Sequence, residues 1–174
     1  MTTHEFTIIA SGLDHEAEGF EDRFFEAGCD DATLSLQKGL IIVEFAREAV
    51  SFSNAVISAY EALLRAGAKV ERIEPDTLVS LSDIAERCGK TRQAISLYTR
   101  GERGEHFPAP IVRVTSTSPL WDWEEVAGWL AERDALSRDE VVRARIVKEA
   151  NRHLDASEAG DDNFARRLKA LEAA

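Results

Sequence analysis

Arg92 and Gln93 stand together behind Thr91, and Ser96, Leu97 and Arg100 recur after them at the spacing of a helix. These residue types can recognise a nucleic acid. An arginine or a glutamine can form two hydrogen bonds to a single base edge, a serine adds one, and an apolar side chain can cover a thymine methyl. Displayed at the start of an exposed helix, Arg92, Gln93 and Ser96 would read bases in the major groove of double-stranded DNA, with Leu97 against a methyl group. Lys90, Thr91 and Arg100 would hold the flanking phosphates.

The elements that must carry these side chains lie within Leu81 to Gly101. Ser80 and Asp83 have the spacing of a capping box and open a first helix. Ile84, Ala85 and Cys88 give that helix one apolar face. Gly89 closes it, since glycine tolerates the left-handed conformation a helix end requires. Thr91 is suited to cap a second helix, whose inner side is Ile95 with Tyr98. Lys90 sits in the turn, its stem along the surface and its ammonium in water. Taken alone, the pattern also fits a helical hairpin in an all-α core.

The following residues narrow the choice. Gly101 and Gly104 loosen the chain, and Pro108 and Pro110 hold it extended. Ile111 to Val114 alternates as a strand, TSTSP turns, and Leu120 to Trp123 returns, which predicts a β-hairpin wing. Asp122 with Glu125 repeats the capping spacing and starts a helix bearing Val126, Trp129 and Leu130. A helix-turn-helix, a Phe107-Pro108-x-Pro110 step, a hairpin and then Trp121-x3-Glu125-Val126-x2-Trp129-Leu130 resemble the winged helix-turn-helix of the AlpA, excisionase and MerR-like DNA-binding families, over residues 78–131. The resemblance implies that Phe107 and Pro108 pack the base of the wing and that Trp121 and Trp129 fill a small core. It also implies backbone contacts from Arg103, Arg113, Thr115 and Ser116. The TSTS tip itself carries no basic residue.

Charge distribution agrees with this placement. The 174 residues carry a formal charge of −11. Residues 1–76 hold 6 basic and 15 acidic side chains, net −9, and residues 114–174 hold 9 and 13, net −4. Residues 77–113 are net +2. An acidic body behind a basic edge disfavours diffuse attraction to DNA and favours one docking face. It also suits a basic protein partner.

Upstream, Phe6 to Ala10 alternates as a short strand, and Phe20, Phe24 and Ala27 mark a helix closed by Gly28. Ala32 to Leu36 and Leu40 to Phe45 flank Lys38-Gly39 as a hairpin. Phe52, Ala55, Val56, Ala59, Tyr60, Leu63 and Leu64 form a helical stripe ended by Gly67, and Lys69 to Ile73 is a last strand before Pro75. The order β-α-β-β-α-β resembles the ferredoxin-like fold over residues 4–75. Dimerisation, sensing and partner docking all remain open for it. From Ser137 the chain is helical, with Val142, Ile146, Val147, Ala150 and Leu154 as a stripe, a break at Glu158 to Asp162, and an amphipathic tail at Phe164, Leu168 and Leu171. The expected class is therefore α+β: a ferredoxin-like domain (4–75), a winged helix-turn-helix (78–133) and C-terminal helices (137–174).

Other chemistries find little support. His4, His15, His106 and His153 lie far apart in polar settings and read as surface residues. Asp30-Asp31 and Asp161-Asp162 read as solvated or capping carboxylates. Neither a phosphate loop nor a nucleophile elbow occurs, so no enzymatic activity, cofactor or metal is expected. Cys29 and Cys88 are too few for a disulfide framework. The opening MTTHEFTIIASG is not a secretory signal, and no apolar run spans a membrane, so a cytoplasmic location is expected. These readings converge on a bacterial- or phage-type transcriptional regulator acting as a homodimer. The alternative is an antitoxin or defence-system protein that binds a protein partner and regulates its own operon.

Overall fold

The alternation at Phe6–Ala10 is realised as the centre of a longer strand, β1 (Thr2–Ser11), in a computed structural model that describes residues 1–156 and 164–172. β1 outruns its apolar pattern because β3 (Leu40–Ala49) offers it a partner along its length, from Ala10 opposite Ile41 to Thr2 opposite Ala49. β2 (Ala32–Gln37) joins β3 through Lys38 and Gly39, both at positive φ, the geometry a two-residue hairpin turn needs. With β4 (Lys69–Glu74) the strands form an antiparallel sheet in the order β2-β3-β1-β4.

Ile8, Val43 and Ile73 on one face of this sheet are fully buried. Helix α2 (Phe52–Ala66) lies against β1, β3 and β4, and α1 (Phe20–Glu26) lies beside α2. Each fully buried Leu, Ile or Val here contributes about 1.5–3 kcal/mol over leaving it in water. The stripe on α2 is narrower than its sequence suggests, since Leu64 is exposed. Ser51 accepts from the Asn54 amide at the start of α2, which has no acidic residue in its first turn. Glu172 of α7 (Phe164–Glu172) supplies one, accepting from the Ser53 amide and from its hydroxyl. Phe164 packs on Tyr60 with ring centroids 4.7 Å apart.

Three expectations are corrected in this part of the chain. Asp31 is not a solvated turn residue: its carboxylate takes two bonds of 2.7 Å from Arg47, which is 8% exposed. Arg47 also donates to the Gly28 carbonyl and lies over the Phe45 ring. His153 is not a surface residue, being buried with its ring centroid 5.0 Å from that of Phe164. The stripe on α6 (Arg138–Ala156) runs through Ala144, Ile146, Val147, Ala150, Asn151 and His153, with Val142 and Leu154 only half-buried. The break expected at Glu158 to Asp162 lies outside the described residues.

The chain is thus mixed α and β, and its contacts divide it into two units, Met1–Pro75 with Glu149–Ala174, and Asp76–Lys148. The division falls inside α6. The second unit holds β5 (Leu78–Val79), α3 (Leu81–Arg87), α4 (Arg92–Thr99), β6 (Trp121–Asp122), α5 (Trp123–Ala131) and the first part of α6. Val79, Ile84, Ile95, Val126 and Leu130 are fully buried at its centre, with Trp121, Trp123 and Trp129 around them. The expected wing is contracted. Val112 and Leu120 form one isolated bridge, and residues 113–116 turn at once. Trp121–Asp122 pairs instead with Leu78–Val79, and Trp123 is already helical. The reason is burial: Trp121 and Trp123 are both inward-facing and nearly inaccessible, so neither residue is free to extend a solvent-exposed hairpin.

Candidate nucleic-acid interface

The turn between α3 and α4 is built as its residues dictate. The Ser80 hydroxyl accepts from the Asp83 amide, and the Asp83 carboxylate accepts from the Ser80 amide at 2.7 Å. Those hydrogen bonds hold the Asp83 carboxyl below its ordinary range. Gly89 takes φ +64, and the Lys90 amide returns to the Ala85 carbonyl at 2.9 Å. Thr91 then caps α4, its hydroxyl accepting from the Ala94 amide at 3.1 Å. Losing such a cap costs about 1 kcal/mol.

Ile95 is the fully buried anchor of α4. At 100° per residue, Gln93 and Leu97 fall on the side away from Ile95, Ser96 lies on the flank, and Arg92 is about 60° from Ile95 in the first turn, where it clears the body at the helix start. Arg92 and Gln93 are exposed, while Ser96 and Leu97 are half-buried. The tip of α4 is steadied from the other side, where Tyr98 meets Trp129 with centroids 5.0 Å apart. Trp129 in turn meets Phe107, donates to the Glu105 carbonyl and lies under the Arg133 guanidinium at 3.8 Å. Trp121 donates to the Pro108 carbonyl at 3.0 Å. Gly104 fits this cluster because a Cβ there would stand 3.0 Å from the Trp129 ring.

The first turns of the helices in this unit differ in charge. α3 begins with Asp83, α5 with Glu124 and Glu125, and α6 with Asp139 and Glu140, each suiting the positive end of a helix. α4 has no acid in its first turn and carries Arg92 there, preceded by Lys90. A helix start left cationic in this way accepts an external anion such as a phosphate. No protein-family model, curated protein or solved structure matches the chain.

The other site residues are less closely gathered. Lys90 is half-buried and Thr91 exposed beside Arg92. Arg100 is exposed and pairs with Glu102 at 3.1 Å, and Arg103 lies 5.8 Å from the Tyr98 ring. Arg113, Thr115 and Ser116 are exposed in the turn that replaces the wing tip, where the Ser116 amide bonds the Arg113 carbonyl and its hydroxyl accepts from Ser118. Arg87 is engaged structurally, donating to the Asp76 carbonyl and lying over Trp123. Sequence reasoning passed over Arg133, whose signal was a cation four residues after Trp129, just beyond the end of α5. Burial pushes both cysteine thiols, Cys29 and Cys88, up. Among the described residues, no helix is long and apolar enough to cross a membrane.

Proposed function

We propose that the protein is a sequence-specific DNA-binding transcriptional regulator of bacterial or phage type, with α4 as its recognition helix. The observation that carries this reading is the exposed pair Arg92 and Gln93, with half-buried Ser96 and Leu97 beside them, on a helix anchored by Ile95 whose start lacks the acid its neighbours carry. Arg92 and Gln93 read base edges, Ser96 adds a bond, and Leu97 meets a methyl group. Lys90, Thr91, Arg100, Arg103, Arg113, Thr115 and Ser116 bind the backbone. The helix pair, the Phe107-Pro108 step and the tryptophan core support a winged helix-turn-helix with a reduced wing. The strand order and antiparallel pairing of the first unit support a ferredoxin-like fold.

One such unit reads too few base pairs for useful selectivity, so the protein works as a homodimer on two half-sites, ~34–36 Å apart if they fall one turn of DNA from each other. Titration of wild type and two variants into a selected duplex and a scrambled one tests the reading. Arg92→Ala weakens binding to the selected duplex by ~1–3 kcal/mol and relaxes one base position. Arg113→Ala weakens binding to both duplexes and lowers the salt slope by ~1. Equal affinity of wild type and Arg92→Ala for both duplexes would refute the assignment. A second reading, an antitoxin or defence-system protein with a basic partner, is favoured by the net −9 of residues 1–76.

A further inference from the structure

The two edges of the four-stranded sheet are finished differently. At β4, the buried Asn151 side chain bonds both backbone groups of Ile73, its oxygen accepting from the amide and its nitrogen donating to the carbonyl, each at 2.8 Å. This amide imitates the next strand and satisfies that edge at Ile73. β2 forms the opposite edge. Its register with β3 fixes which groups face outward. Asp31 accepts from Ala46 across the pair, so alternate residues Thr33, Ser35 and Gln37 bond β3, whereas the amides and carbonyls of Leu34 and Leu36 point away from the sheet. β2 holds no charge and no proline, the usual protections of an exposed edge.

The surroundings of this edge specify what could join it. Leu36 is 50% exposed and Phe25 of α1 is 67% exposed, an apolar step beside β2. The shallow groove between α1 and β2 is lined by Glu21, Asp22 and Asp30 around Phe25 and Leu34, with no lysine or arginine among the described residues of its walls. A second copy paired edge to edge would set these carboxylates against themselves, which opposes self-association. A strand alternating Lys or Arg with Val, Ile or Leu would satisfy the outward backbone groups, cover Leu36 and Phe25, and meet the acidic rim.

We infer that β2 and α1 form a docking site for an extended basic-apolar segment of a partner protein, which adds to the sheet as a fifth strand. The site lies wholly in the first unit, so its test is separate from that of DNA binding. The probes are a short peptide alternating lysine with valine or isoleucine, the same peptide with glutamate for lysine, and the lysine peptide methylated at alternate backbone amides. Each is titrated into the isotope-labelled full chain, with amide exchange read by NMR. The lysine peptide should slow exchange at Leu34 and Leu36 by about tenfold or more and bind more weakly as salt rises. The glutamate and methylated peptides should bind about tenfold more weakly or worse. Leu34→Pro should abolish binding while Ser35 stays protected, since the amide lost points outward, and Leu34→Ala, which trims the same side chain but keeps the amide, should bind more tightly than Leu34→Pro. Three results would overturn the proposal: perturbations mapping away from β2, equal binding of all three peptides, or concentration-dependent protection of Leu34 and Leu36 in the chain alone, which would make a second copy the occupant.

Discussion

Replacing Asp31 by alanine is expected to destabilise the first unit by about 3 kcal/mol, enough to move its urea midpoint well outside error. Arg47 is 8% exposed, and Asp31 provides both of its short carboxylate bonds. Burial alone would lower the affinity of the guanidinium for its proton, yet the bonds and charge of Asp31, with smaller contributions from Cys29 and Asp30, together outweigh it and the pKa is raised. Removing Asp31 leaves a buried cation that still bonds the Gly28 carbonyl and the Ser58 hydroxyl and lies over the Phe45 ring. The upper part of the usual range for a broken buried pair, about 5 kcal/mol, is not expected, because the Asp31 side chain is 28% exposed and water can enter. Arg47→Met in the Asp31→Ala background should recover most of the loss, since an apolar side chain carries no desolvation penalty. A single variant as stable as wild type would show that the pair contributes nothing.

Trp129→Ala should destabilise the second unit by about 3–5 kcal/mol. The indole is 7% exposed and joins three segments: Tyr98 on α4, Phe107 after the glycine-containing turn, and Arg133 beyond α5. Its ring nitrogen also holds the Glu105 carbonyl. Loss of the ring removes the support beneath the end of α4, so amide exchange in Tyr98 and Thr99 should accelerate more than exchange in α3. Urea unfolding monitored by far-ultraviolet circular dichroism gives the magnitude, and exchange gives the location. A shift in midpoint corresponding to less than about 1 kcal/mol would mean the aromatic cluster does not organise this unit.

Local chemistry was legible in the sequence where it depends on near neighbours. The Ser80–Asp83 box, the Thr91 cap, the Gly67 helix end and the Lys38-Gly39 turn are each formed by residues a few positions apart, and each is present. Pairing over longer distances was less legible. Leu120 to Trp123 reads as the return strand of a hairpin, but β6 finds its partner at Leu78–Val79, more than 40 residues away. Nothing in the local pattern distinguishes the two partners. Arg47 and Asn151 did leave a trace: each is polar at an inward position, the first in line with Ile41, Val43 and Phe45, the second four residues after Val147. A polar group at such a position must find a partner, and these two bond Asp31 and Ile73. The partners themselves could not be named without the fold. On α4, Ile95 with Tyr98 reads as the inner side; Ile95 is buried, Tyr98 is half-buried, and Arg92 and Gln93 are exposed.

Selection of bound duplexes from a random DNA pool, run in parallel with wild type and Arg92→Ala, tests the proposed role of α4 most directly. Arg92 adds no favourable charge to its own helix, so its replacement should leave folding intact and act on binding alone. The wild type should enrich a motif with a two-fold repeat, and the variant should lose preference at one position of each half while keeping the rest. A wild-type pool indistinguishable from the input, or an identical motif from both proteins, would contradict the assignment of α4 to the major groove.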